Sequence, residues 1–81
     1  MIVLFFGSDD CSKCAKTYKS LRKIVKESKQ FIYVDAIHDW NQDLCDYWDV
    51  DELPHIIVLD NDMEVICQVI GSGISIIKKY F

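Results

Sequence analysis

Met1-Ile2-Val3-Leu4-Phe5-Phe6-Gly7-Ser8-Asp9-Asp10-Cys11-Ser12-Lys13-Cys14 is the stretch from which the rest of the chain can be read. Residues 1–6 form a continuous apolar run, the pattern of a strand buried on both faces. The period then changes. Through residues 11–28 the apolar positions Cys14, Tyr18, Leu21 and Val25 step by four, three and four, with Ala15 and Ile24 beside them, as in an amphipathic helix. A strand therefore hands two cysteines to the start of a helix. If that helix begins at Cys11, the thiols of Cys11 and Cys14 lie one turn apart, within reach of a disulfide. Cys11 then faces the unpaired amides and positive dipole end of the helix, which stabilise the thiolate, the nucleophilic form of a thiol.

The 81 residues suffice for one domain, spanning 1–81, with a small core that buries roughly 60% of the unfolded surface. A composition 51% hydrophobic, with one proline and three glycines, is that of an ordered globular chain. Met1 runs directly into the first strand without a charged leader, and no apolar stretch is long enough to cross a bilayer. The expectation is a cytoplasmic monomer without a membrane contact. In that compartment structural disulfides are disfavoured, so a Cys-x-x-Cys pair is read as catalytic or metal-binding before it is read as a staple.

The net charge of −4 is unevenly placed. Seven of nine basic residues, Lys13, Lys16, Lys19, Arg22, Lys23, Lys26 and Lys29, fall within 13–29, while twelve of thirteen acids lie outside it. A solvated helix face is the plain explanation, and a docking surface for an acidic partner is the sharper one. The stripe has neither interleaved aromatics nor a groove-reading motif, which argues against nucleic-acid binding.

Further along, Phe31 to Val34 reads as a second short strand ending at Asp35. Asp39 can cap a helix carrying Trp40, Leu44, Cys45 and Trp48, which the acidic loop from Asp49 to Glu52 ends. His55 to Leu59 and Glu64 to Ile70 are strands joined by the turn Asp60-Asn61-Asp62-Met63. After Gly71-Ser72-Gly73, Ile74 to Phe81 makes a last short helix with Ile74, Ile77 and Phe81 on one side. The order is βαβαββα. A β-helix-β unit supplies a parallel pair and the hairpin adds antiparallel strands, giving an α/β fold: a mixed four-stranded sheet with helices on both faces.

On these residues the chain resembles the thioredoxin and glutaredoxin superfamily over essentially its whole length, in a trimmed form lacking an N-terminal strand and helix. The resemblance is carried by Phe5 to Cys14 with its Cys-Ser-Lys-Cys motif, by Tyr33-Val34-Asp35, by Trp48 to His55, and by Val69-Ile70-Gly71. The only proline, Pro54, stands just before the third strand, as it does in the family. Proline is confined to the first position of such a strand. The family pattern makes the Leu53–Pro54 bond cis, turning the Leu53 backbone toward Cys11 with its amide and carbonyl free to pair with an extended substrate.

What the resemblance implies is a thiol-disulfide oxidoreductase, an electron-transfer protein whose redox-active centre is the Cys11–Cys14 disulfide. Cys11 is the attacking thiol and Cys14 the more sheltered resolving thiol, and no cofactor or metal is called for. Ser12, Lys13, Leu53, Pro54 and His55 are the candidate substrate-binding residues. Lys13 and the helix dipole favour the Cys11 thiolate, while Asp9 and Asp10 oppose it. His55 either stabilises the thiolate or relays a proton, or is a solvent-exposed strand-start histidine with neither role. The partners expected are protein disulfides and a recycling reductase or glutathione.

The departures from the family are equally specific. Ser12-Lys13 lacks the proline common between the family's cysteines, no tryptophan precedes Cys11, and Phe5 stands where many thioredoxins keep a buried aspartate. No lysine lies just before Cys11, and no acidic pair follows Gly71-Ser72-Gly73 to hold a glutathione amine. Asp9, Asp10, Asp51 and Glu52 would repel glutathione's carboxylates. Reduction of protein disulfides is accordingly preferred over a glutaredoxin-like, glutathione-dependent activity. A non-catalytic binding module, using the Cys11/Cys14 edge to hold a partner or a shared iron-sulfur cluster, is the alternative from another class. Cys45 and Cys67 read as core or half-buried residues, since a four-cysteine zinc site needs a second close pair. His38 has no evident partner.

Overall fold

A computed structural model of the chain describes residues 1–25 and 30–80. Four strands, β1 (Ile2–Gly7), β2 (Phe31–Asp35), β3 (His55–Leu59) and β4 (Val65–Ile70), form one sheet in the order β2-β1-β3-β4. The β1/β2 pair is parallel, with Phe5 opposite Tyr33, and the β1/β3 and β3/β4 pairs are antiparallel. The mixed four-stranded sheet and the βαβαββα order are those read from the sequence.

Successive side chains of a strand point to opposite faces, and the two cores follow that alternation. On one face Val3, Phe5, Ile56, Val58 and Val69 pack with Cys14, Leu21 and Val25 of the first helical segment and with Ile77. On the other, Phe6, Val34, Ile57 and Leu59 pack with Cys45. The central strands β1 and β3 are buried on both faces, so their sequences show apolar runs rather than alternation.

Helix α1 (Ser12–Ile24) starts one residue after Cys11, which is its N-cap. The part of the expected helix over 26–28 and the lysines Lys26 and Lys29 lie outside the described residues. The second helix differs from expectation. Asp39 does not cap it; a 3₁₀ turn (Asp39–Asn41) begins after His38, and α2 (Gln42–Tyr47) follows. The loop is instead tied by side chains to the end of β2: Asn41 Nδ2 donates to the Asp35 carbonyl at 2.9 Å and Gln42 Nε2 to the Ala36 carbonyl at 2.9 Å. Asp39 lies in the first turn, where a carboxylate suits the helix dipole without making a cap bond. The last segment, Ile74–Tyr80, is a 3₁₀ helix rather than an α-helix. With three residues per turn, Ile74 and Ile77 still share a side, and both pack on the α1 face of the sheet. Phe81 lies outside the described residues.

The β3–β4 turn is held by Asp60, whose Oδ1 accepts from the amides of Asp62 at 2.8 Å and Glu64 at 3.0 Å. The chain reverses through Met63 at φ 67°, the side-chain-supported geometry for which aspartate is favoured in turns.

Candidate active site

Helix α1 delivers both cysteines. Cys11 and Cys14 are joined in a disulfide with their Cα atoms 5.2 Å apart. The Cys14 amide donates to Cys11 Sγ at 3.1 Å, so the sulfur itself caps the helix, taking the place usually held by a serine or aspartate oxygen. The two sulfurs are unequally accessible: Cys11 is half-buried, whereas Cys14 is 2% exposed within the core. An accessible thiol backed by a sheltered one is the asymmetry that sequential thiol-disulfide exchange requires.

Ser12 and Lys13 occupy the first turn and are exposed. The Leu53–Pro54 peptide bond is cis. Pro54 is fully buried, and its carbonyl accepts from the Gly71 amide at 2.8 Å, fastening the start of β3 to the end of β4. Leu53 and Cys11 both border the α1-side core. Among the described residues, no hydrogen bond engages the Leu53 amide or carbonyl.

His55 does not take the solvent-exposed position that one sequence reading assigned it. It is 2% exposed, not at the surface, and its register partner across β1 is Phe6. That partnership puts it on the α2 side of the sheet, away from the face on which Cys14 packs. Its Nε2 pairs with Gln68 Oε1 at 2.9 Å, and its Nδ1 has no partner among the described residues. The remaining cysteines are separate from the pair. Cys45 is buried and Cys67 half-buried, and burial pushes both thiols up, with Asp46 adding to the effect at Cys45 and Lys79 offsetting it at Cys67. His38 stacks on Trp40 with ring centroids 4.0 Å apart.

One feature of the site was not anticipated. Phe5, Tyr18, Phe31 and Tyr33 form an aromatic cluster beside Cys14, with Phe5 and Tyr33 stacked at 5.6 Å and Tyr18 edge-on to both at 5.6 Å. A cavity of about 470 Å³ opens there, lined by Ser8, Asp9, Cys14, Ala15, Tyr18 and Tyr33. The signal was present as Phe31 and Tyr33 two apart on a strand, but their meeting with Tyr18 depends on the parallel register of β2 against β1.

No protein-family model and no curated protein matches the chain. Solved structures do. Spinach chloroplast thioredoxin f superposes with a TM-score of 0.81 over 98% of this chain and 65% of its own, at 18% identity. The chain has the thioredoxin fold. Trichomonas vaginalis thioredoxin matches at TM-score 0.76 and 25% identity, covering 98% of this chain and 74% of that one. Thioredoxin 1 of Thermosipho africanus matches at 0.74 and 24%, covering 85% and 75%. The thioredoxin fold together with the Cys11–Cys14 pair supports a thiol-disulfide redox role for the site.

Proposed function

We propose that the protein is a thiol-disulfide oxidoreductase that reduces protein disulfides through Cys11 and Cys14. The observation that carries the reading is the cap: a partly exposed sulfur at the head of α1 that accepts a backbone amide and is bonded to a buried sulfur one turn on. In the reduced protein the same amide and the helix dipole stabilise the Cys11 thiolate. That thiolate attacks one sulfur of the substrate disulfide, forming a mixed disulfide and releasing the other sulfur as a thiolate. Cys14, as thiolate, attacks Cys11 Sγ, closing the intramolecular disulfide and releasing the second substrate thiol. Two electrons pass to the substrate, and a reductase or glutathione restores the dithiol; the pair needs no further cofactor.

The free Leu53 amide and carbonyl support docking of an extended substrate strand beside Cys11, in the manner of strand addition. The reading places the protein in the cytoplasm, acting as a monomer. No helix among the described residues is long and apolar enough to cross a membrane.

The test is reduction of insulin by the dithiothreitol-reduced protein, with Cys11→Ser and Cys14→Ser variants alongside. Cys11→Ser abolishes turnover, and Cys14→Ser accumulates a mixed disulfide with insulin through Cys11. Turnover that survives Cys11→Ser would remove the proposal.

A further inference from the structure

The cavity beside Cys14 has a definite chemical character. Two tyrosine rings at an interplanar angle of 84° make adjoining walls, and Asp9, an exposed carboxylate, stands among its lining residues. None of the α1 lysines lines it. At the start of the helix the Cys14 amide is taken by Cys11 Sγ and the Ala15 amide by the Cys11 carbonyl at 3.2 Å. An aromatic face with a nearby carboxylate attracts cations and repels anions. The same aromatic cluster already accepts one: the Arg22 guanidinium lies 4.8 Å from the centroid of the Phe31 ring. Negative potential also reaches the Tyr33 hydroxyl, whose proton is held more tightly than usual, first by burial and then by Asp9 and Asp35.

We infer that this cavity is a specificity pocket for a cationic side chain, arginine or lysine, lying close in sequence to the cysteine of the substrate disulfide. The inference rests on the disulfide-reductase reading for its biological sense, but the pocket itself is testable without any redox step. The cavity borders Cys14, so a substrate cysteine bonded to Cys11 has its neighbouring residues within reach of the Tyr18 and Tyr33 walls. A guanidinium there gains ring contact and an opposing charge at Asp9, whereas an acidic side chain is repelled by that carboxylate. The acidic rim that disfavours glutathione therefore selects positively for basic peptides.

Two measurements on the full oxidised and reduced chain decide it. In the first, the tyrosine ring resonances of the oxidised protein are followed by NMR during titration with N-acetyl-arginine methylamide or its glutamine analogue. The arginine probe is expected to shift Tyr18 and Tyr33 selectively, and Asp9→Asn is expected to weaken its binding roughly two- to fivefold. Equal response to both probes, or shifts only elsewhere, would overturn the pocket. In the second, two cystine peptides differing only in an arginine or glutamine beside the half-cystine are compared as substrates. A lower KM for the arginine peptide in the parent protein, lost in Asp9→Asn, supports the inference, while equal KM values refute it. Loss of turnover with both peptides would refute the reductase reading, leaving the NMR titration to decide the pocket alone.

Discussion

Cys11 Sγ accepts a hydrogen bond from the Cys14 amide at 3.1 Å, so the residue proposed to attack a disulfide is also the residue that caps its own helix. The amide stabilises a sulfur anion more than a thiol, and oxidation state and helix start are thereby linked. Alkylation of the reduced protein at mildly acidic pH, followed by peptide mass spectrometry, is expected to label Cys11 first. Burial raises the thiols of Cys45 and Cys67 and slows both. Labelling of either ahead of Cys11 would show that the reactive site lies elsewhere.

Charge at the rim sets a second expectation. Asp9 and Asp10 are exposed and immediately precede Cys11. Replacing both with lysine should raise turnover of glutathione mixed disulfides, by about fivefold or less per charge, because exposed charges act weakly. Salt should reproduce part of the gain in the parent protein, since such charges are screened within about 8 to 10 Å at physiological ionic strength. Efficient and salt-insensitive turnover of glutathione substrates by the parent would instead make the protein a glutaredoxin in function.

Tyr33 gives a pH signature. Burial, then Asp9 and Asp35, raise its phenol above the ordinary value of 10.0. The folded chain therefore binds that proton more tightly than the unfolded chain. The resulting stability is complete below about pH 10 and is lost as pH rises through the folded value. Phenolate absorbance should show a late-titrating component that disappears in Tyr33→Phe and moves down in Asp9→Asn. Tyr33→Phe should also flatten the alkaline decline in stability; an unchanged decline would place its origin in another group.

The end of α2 is built without its customary glycine. The Val50 amide donates to the Cys45 carbonyl at 2.8 Å and the Asp49 amide to the Asp46 carbonyl at 3.3 Å, with Asp49 at φ 53° and Val50 packed on the core. This is the paired C-terminal bonding in which glycine normally takes the left-handed position. Asp49→Gly is expected to relieve that conformation and stabilise the protein by about 0.5 to 1 kcal/mol, read as a rise in the urea midpoint. A fall would mean that the gain in unfolded-chain entropy outweighs the strain relieved.

These cases mark where the sequence could be read and where it could not. The continuous apolar runs of residues 1–6 and 55–59 identify strands buried on both faces, because nothing but a central strand needs apolar side chains on both sides. Cys11 and Cys14 could be placed because their spacing belongs to one local turn. The end of α2 was legible only as an acidic loop, since an aspartate in left-handed conformation has no sequence signature as sharp as glycine. Asp39 carried the chemistry of a cap, but the ties from Asn41 and Gln42 to the end of β2 fix where the turn begins. His55 and the aromatic cavity were decided by register, which places residues far apart in sequence on one face of the sheet.

Gly7 follows Phe5 on the same face of β1, and a Cβ built on it would lie 2.8 Å from Phe5 Cε1 and 3.2 Å from Tyr33 Oη. Positions 5 and 7 thus share a single volume and cannot both enlarge. Gly7→Ala in the present background should cost about 1 to 3 kcal/mol. After Phe5→Leu, which carries its own cavity penalty, the same change should cost less, and the double-mutant cycle should report that favourable coupling. The order of steps then matters: a lineage that gained a side chain at position 7 would first have had to shrink position 5, passing through a less stable intermediate.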